Sequence, residues 1–120
     1  MNLYELHTES EDLYGYEQSI KIPEIAYNYL SETVEVDDDL LEKAEDSIAT
    51  SAEYSYRYAA DILLRRFKEG EPAIATSAAY SLSYALHVIN GRFLAGEETM
   101  KQDEDIWHIY TRNFMKHGEL

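Results

Sequence analysis

Ile48-Ala49-Thr50-Ser51-Ala52-Glu53-Tyr54 returns 26 residues later as Ile74-Ala75-Thr76-Ser77-Ala78-Ala79-Tyr80. The match continues through Tyr58/Tyr84, Ala59/Ala85, Arg66-Phe67/Arg92-Phe93 and Gly70-Glu71/Gly96-Glu97 at the same offset. A period of this length implies one supersecondary unit stacked on copies of itself, because a single unit cannot bury its own apolar face.

Ser51 and Ser77 read as N-caps, whose hydroxyls accept from the free N–H groups of the turn that follows. One period further on stands Asp103, the same class of cap. A decayed third copy fits behind it, with Ile106 for Tyr80, Tyr110 for Tyr84, Phe114 for Val88, Met115 for Ile89 and Met100 for Ile74. The spacing predicts long helices from Ala52 to Arg66, from Ala78 to Asn90 with a left-handed stop at Gly91, and from Glu104 to Lys116 with a stop at His117-Gly118. The first copy has Arg65-Arg66 where the second has Gly91-Arg92, so its long helix is expected to run further. Pro72 suits the first turn of a short helix ahead of each cap.

Upstream, Pro23 to Val34 aligns with Ala52 to Leu63 at an offset of 29. Pro23 takes a first helical position, and Asp37-Asp38-Asp39 caps a helix from Leu40 to Ala49, placing negative charge at its positive end. Within the long helices Tyr54, Tyr58 and Ile62 fall at i, i+4 and i+8, as do Tyr80, Tyr84 and Val88. These stripes read as seams between units, with Tyr58 and Tyr84 buried in them and Tyr56 off the stripe. Small residues, including Ser55, Ala59, Ser81 and Ala85, allow close helix approach.

The expected fold is therefore all-α: a single-domain, right- or left-handed stack of about four helical-hairpin units. Residues 1–20 form an N-terminal cap, 21–44 a degenerate unit, 45–70 and 71–96 the clear units, and 97–120 a degenerate C-terminal unit.

The chain has 120 residues, no cysteine and a formal net charge of −14. Disulfides and thiolate zinc sites are excluded. No apolar run is long enough to span a bilayer, and Met1-Asn2-Leu3-Tyr4-Glu5 lacks the basic start of a secretory leader, so a cytoplasmic location is expected. Residues 1–46 hold 14 acids against Lys21 and Lys43, whereas residues 47–120 hold 10 acids against 8 cations. The acidity thus belongs to the N-terminal third. Such a surface repels nucleic acid and anionic lipid and attracts basic protein surfaces; solubility alone is the plainer reading. Eleven tyrosines against three phenylalanines and one tryptophan suit half-exposed seams, and suit recognition surfaces too.

The pattern Pro-Glu-x-Ala-Tyr-x-Tyr, followed by Arg-Phe-x-x-Gly-Glu, is carried by Pro23 to Leu30, Tyr54 to Glu71 and Tyr80 to Glu97. It resembles the short Tyr- and Ala-rich helical repeats of phage and bacterial proteins. That resemblance implies a helical stack and a phage origin, and it implies no activity. In composition alone, a small acidic helical chain without cysteine is similar to the DNA-mimic inhibitors that phages direct against host defence enzymes, although here the charge is gathered at one end.

Chemistry is sparse. The five glycines stand singly, no serine sits in a nucleophile elbow, and Asp37-Asp38-Asp39 lacks the spacing of a calcium loop. His7, His87, His108 and His117 have no metal-ligand spacing, and no cofactor is expected. The reading is a non-catalytic protein-binding module, in its sharper form a phage-type inhibitor, with recognition at Glu32, Glu35, Asp37, Asp38, Asp39 and Glu42. The expected partner is a host protein with a basic surface; direct contact with nucleic acid or membrane is not expected, and a homodimer is left open. The rival reading is a small-anion or nucleotide sponge using Arg66, Arg92 and Tyr56 between units. An enzyme of unassigned class stands third.

Overall fold

The computed structural model describes residues 19–33 and 35–115, and among them every regular element is helical. Seven α-helical segments follow in chain order: α1 (Pro23–Glu32), α2 (Asp38–Ile48), α3 (Ala52–Arg57), α4 (Glu71–Ile74), α5 (Ala78–Tyr84), α6 (Glu97–Met100) and α7 (Glu104–Phe114). The α3 and α5 segments continue without a break into wider π turns, Tyr58–Leu63 and Ala85–Ile89. Three-residue 3₁₀ turns, Lys68–Gly70 and Leu94–Gly96, lead into α4 and α6.

The caps form where the spacing puts them. Ser51 accepts from the Tyr54 N–H and Ser77 from the Tyr80 N–H, each at 3.1 Å. Asp103 accepts from the Asp105 and Ile106 N–H groups, and Asp37 caps α2 through Asp39 and Leu40. Pro23 and Pro72 both lie in first turns, where a missing N–H costs nothing.

Both long helices stop one or more residues earlier than the glycine pattern predicts. The left-handed residues are Leu64 and Asn90, each at φ 56°, and not Gly91. The first helix therefore ends in register with the second and does not extend to Arg66. The following N–H groups, of Arg65 and Gly91, close on the Ala59 and Ala85 carbonyls at 3.3 and 3.2 Å. That closure satisfies carbonyls that a helix end would orphan, so the closing bond terminates the helix whichever side chain follows. α7 ends at Phe114 with Met115 extended; Lys116, His117 and Gly118 lie outside the described residues, as do His7, Val34 and the expected cap apart from Ser19 and Ile20. α2 begins two residues before Leu40 and ends at Ile48.

One apolar cluster runs through the described chain from Ile20 to Tyr110. α1 lies against α2, α3 packs on α4 and α5, and α5 on α6 and α7. Tyr58, Tyr84 and Tyr110 are 2 %, 0 % and 0 % exposed at equivalent positions, which is where the stripe places them. The small residues serve a specific contact. Ser55 and Ser81 are fully buried and donate to the Ile48 and Ile74 carbonyls at 2.9 and 3.0 Å. Gly70 and Gly96 lie against those same serines, and a Cβ on either glycine would fall on the serine hydroxyl. One period after Ser81 stands Trp107, whose ring lies on Tyr110 at 5.5 Å and 24°.

Candidate functional site

The most developed polar geometry lies at the seams. The buried Phe67 N–H donates to the Tyr84 hydroxyl at 2.9 Å, and that hydroxyl donates to Glu71 Oε2 at 2.7 Å. Arg66 closes the group with two parallel bonds, Nε to Oε2 at 2.8 Å and Nη2 to Oε1 at 2.9 Å. One period on, the Phe93 N–H, Tyr110, Glu97 and Arg92 repeat every bond, at 2.9, 2.6, 2.8 and 2.9 Å. One period back only part remains: Tyr58 donates to Glu45 at 2.6 Å, while Leu40 stands where Arg66 would, and the Leu41 N–H is spent inside α2 on the Asp37 carbonyl.

These bonds set the local electrostatics. Burial alone would raise the Glu71 carboxyl, but the Arg66 fork and the Tyr84 hydroxyl outweigh it and hold the group below its ordinary range. At Glu97 the Arg92 fork is the leading cause, and the result is again a lowered carboxyl. Burial first, and then the neighbouring glutamate, pushes the Tyr110 hydroxyl up to about 12 and raises Tyr58 and Tyr84 as well. Each Arg–Glu–Tyr group is thus a charge-paired clamp whose members stabilise one another's present protonation state.

This geometry bears on the expected anion groove. Arg66 and Arg92 are each engaged by a carboxylate of the chain itself. Each guanidinium turns its Nε–Nη2 edge to a glutamate five residues on, at the start of the next unit, and Tyr56 lies with its ring 5.9 Å from that of Tyr80, across the contact of α3 with α5. Both partners are side chains in the first turns of α4 and α6.

The acidic residues singled out in the sequence do gather. Glu32 closes α1, Glu35 lies in the connection, and Asp37, Asp38, Asp39 and Glu42 open α2; all six are exposed. Among the described residues their one ion pair is Asp39 with Lys43, at 3.0 Å. The edge extends past what the sequence marked. The Glu69 carboxyl, in the turn after α3, is raised by burial and then by the charges of Glu45, Asp46 and Glu42. No local pattern pointed to Glu69, because its neighbours come from a helix some twenty residues earlier.

Two cavities open on this part of the surface. One of about 180 Å³ is lined by Glu45, Leu63, Arg65, Arg66, Phe67, Lys68 and Glu69. The other, of about 310 Å³, is lined among the described residues by Lys21, Lys43, Asp46 and Ser47. Among the described residues no group of three or more His, Asp or Glu side chains is placed to hold a metal ion, and no helix is long and apolar enough to cross a membrane. No family model matches the chain, and neither a curated protein nor a solved structure does.

Proposed function

We propose that this protein is a non-catalytic protein-binding module whose acidic edge docks on a basic protein surface. The observation that supports this most is the exposure of Glu32, Glu35, Asp37, Asp38 and Glu42 across the α1–α2 connection, none of them ion-paired among the described residues, continued by Asp46 and Glu69. Carboxylates this dense repel each other and cost stability, and a cationic partner relieves that repulsion. Exposed charge of this kind acts mainly on the association rate and on the choice of partner. In its sharper form the partner surface is one that ordinarily faces nucleic acid, and the module is an inhibitor of the phage type that the repeat resembles.

The test is a folded variant carrying Glu32→Lys, Glu35→Lys and Glu42→Lys. These three leave the Asp37 cap of α2 in place. Wild type and variant are used as bait in cell lysate at low and high salt, after circular dichroism has shown equal helicity. The proposal expects a partner retained by wild type at low salt, released at high salt, absent from the variant and displaced by added DNA or RNA. A partner held equally by both baits would refute the acidic edge, and a charge-dependent partner indifferent to nucleic acid would refute mimicry alone.

A further inference from the structure

Glu45, Glu71 and Glu97 stand one period apart, and each accepts from a tyrosine hydroxyl 13 residues on. Glu71 and Glu97 also hold a guanidinium in a two-bonded fork. Among the described residues Glu45 has Tyr58 as its one hydrogen-bond partner and no ion pair. The reason lies in α2. In the later units the arginine comes from the turn ahead of a short helix, whereas α2 runs unbroken from Asp38 to Ile48. Leu40, in the arginine's register, is therefore helical, and five helical positions set it about 140° around the axis from Glu45. The positions that a helix does bring beside Glu45, three and four residues away, are Leu41, Glu42, Ile48 and Ala49. None carries a cation, so α2 cannot complete its own clamp.

We infer that Glu45 is the seat of an arginine side chain of the basic partner, whose guanidinium takes the place that Arg66 and Arg92 fill in the other units. This deepens the docking reading above and rests on it. Glu45 is half-buried and lines the cavity of about 180 Å³, with Leu63, Phe67 and Glu69 on other walls. That volume lies below the range of small-molecule pockets and suits the head of one side chain. The acceptors are in order: Glu71 Oε2 takes both the Tyr84 hydroxyl and Arg66 Nε, so Glu45 Oε2 can hold Tyr58 and a guanidinium together, with Oε1 left for the second bond. The Glu69 carboxyl is raised by burial and then by the charges of Glu45, Asp46 and Glu42, as carboxylates facing one another are, and an incoming cation relieves that repulsion. Arg65, Arg66 and Lys68 also line the cavity. Their charge opposes a free cation, so the arginine has to arrive on a surface that the acidic edge already attracts. A lysine makes only a point contact where arginine makes the planar fork.

The test titrates the full chain with two end-capped peptides of equal charge, Lys-Lys-Arg-Lys-Lys and Lys-Lys-Lys-Lys-Lys, and follows amide chemical shifts at about 0.05 M salt. The arginine peptide should bind at least about fivefold more tightly, the worth of one added hydrogen bond of the fork, and should shift the amides around Glu45 and Glu69. Glu45→Gln keeps an acceptor for the Tyr58 hydroxyl and should bring the two peptides to equal affinity. Glu32→Gln, which removes one charge from the edge, should weaken both peptides by the same factor and keep the preference. Binding of neither peptide would overturn the acidic edge and this inference with it. Equal binding of both to wild type, shifts centred away from Glu45, or a preference that survives Glu45→Gln would overturn the arginine seat and leave the edge standing. Should Glu45→Gln not fold, the wild-type preference and its shift map decide alone.

Discussion

Tyr84→Phe removes one oxygen atom from a fully buried ring, and that atom serves two bonds at once. It accepts from the Phe67 N–H at 2.9 Å and donates to Glu71 at 2.7 Å. Without it the amide is left buried and unpaired, a cost of about 1–3 kcal/mol. Glu71 loses a donor but keeps the Arg66 fork, which limits the second loss to about 1 kcal/mol. The expected total is about 2–4 kcal/mol, or roughly 6–20 °C in Tm for a chain of this size. Tyr110→Phe breaks the equivalent pair of bonds and should cost the same. Tyr58→Phe should cost about 1 kcal/mol, because its hydroxyl meets Glu45 and serves no backbone amide. Tyr56→Phe, at a half-buried ring, should fall within about 0.5 kcal/mol of wild type. Urea melts of the four variants, each checked for an unchanged m-value, give the ranking. A Tyr58→Phe as damaging as Tyr84→Phe, or a Tyr84→Phe near wild type, would refute the view that these hydroxyls act by satisfying buried amides.

Leu64→Asn should stabilise by about 0.5–1.5 kcal/mol in thermal melts, since the leucine sits left-handed at φ 56° and 78 % exposed, where its repeat counterpart is Asn90. Gly96→Ala should destabilise by about 1–3 kcal/mol, as its Cβ meets the Ser81 side chain, while Gly91→Ala, with Ile89 the nearest neighbour at 3.7 Å, should be nearly neutral. Tyr58, Tyr84 and Tyr110 ionise higher in the fold than in the unfolded chain, so they stabilise fully below their ordinary value and lose that contribution as pH rises through the folded one. Absorbance titration should show them lagging the other tyrosines, with Tm falling above about pH 10. Glu71 and Glu97 are lowered in the fold, so their stabilisation is whole above the ordinary carboxylate range and declines as pH falls below it, read as a lower Tm in acid.

Where the repeat is strong, the fold could be read from the chain. Ser51, Ser77 and Asp103 are local capping signals, and a cap is decided by its own residue and the next turn. The Tyr58/Tyr84/Tyr110 stripe followed from helical spacing in the same way. The helix ends differ from the glycine pattern because termination here rests on the closing bond to Ala59 or Ala85, which forms around Leu64 as it does around Asn90. The clamps were half legible. Arg-Phe-x-x-Gly-Glu stood out as a motif, but pairing Arg66 with Glu71 and then with Tyr84 needs the tertiary approach of α5. Glu69 and the cavity at Glu45 were illegible for that reason too: each joins side chains that are distant in sequence.

If the acidic edge carries recognition, the association rate of a captured partner depends on ionic strength. Stopped-flow or surface-based kinetics at about 0.05 and 0.5 M salt should show wild type slowing by at least about tenfold as the edge is screened. The variant with Glu32→Lys, Glu35→Lys and Glu42→Lys should start slower at low salt and lose most of that dependence. A variant that stays folded and keeps both the wild-type rate and the wild-type salt slope would contradict the account and move recognition to the tyrosine-lined face of α3 and α5.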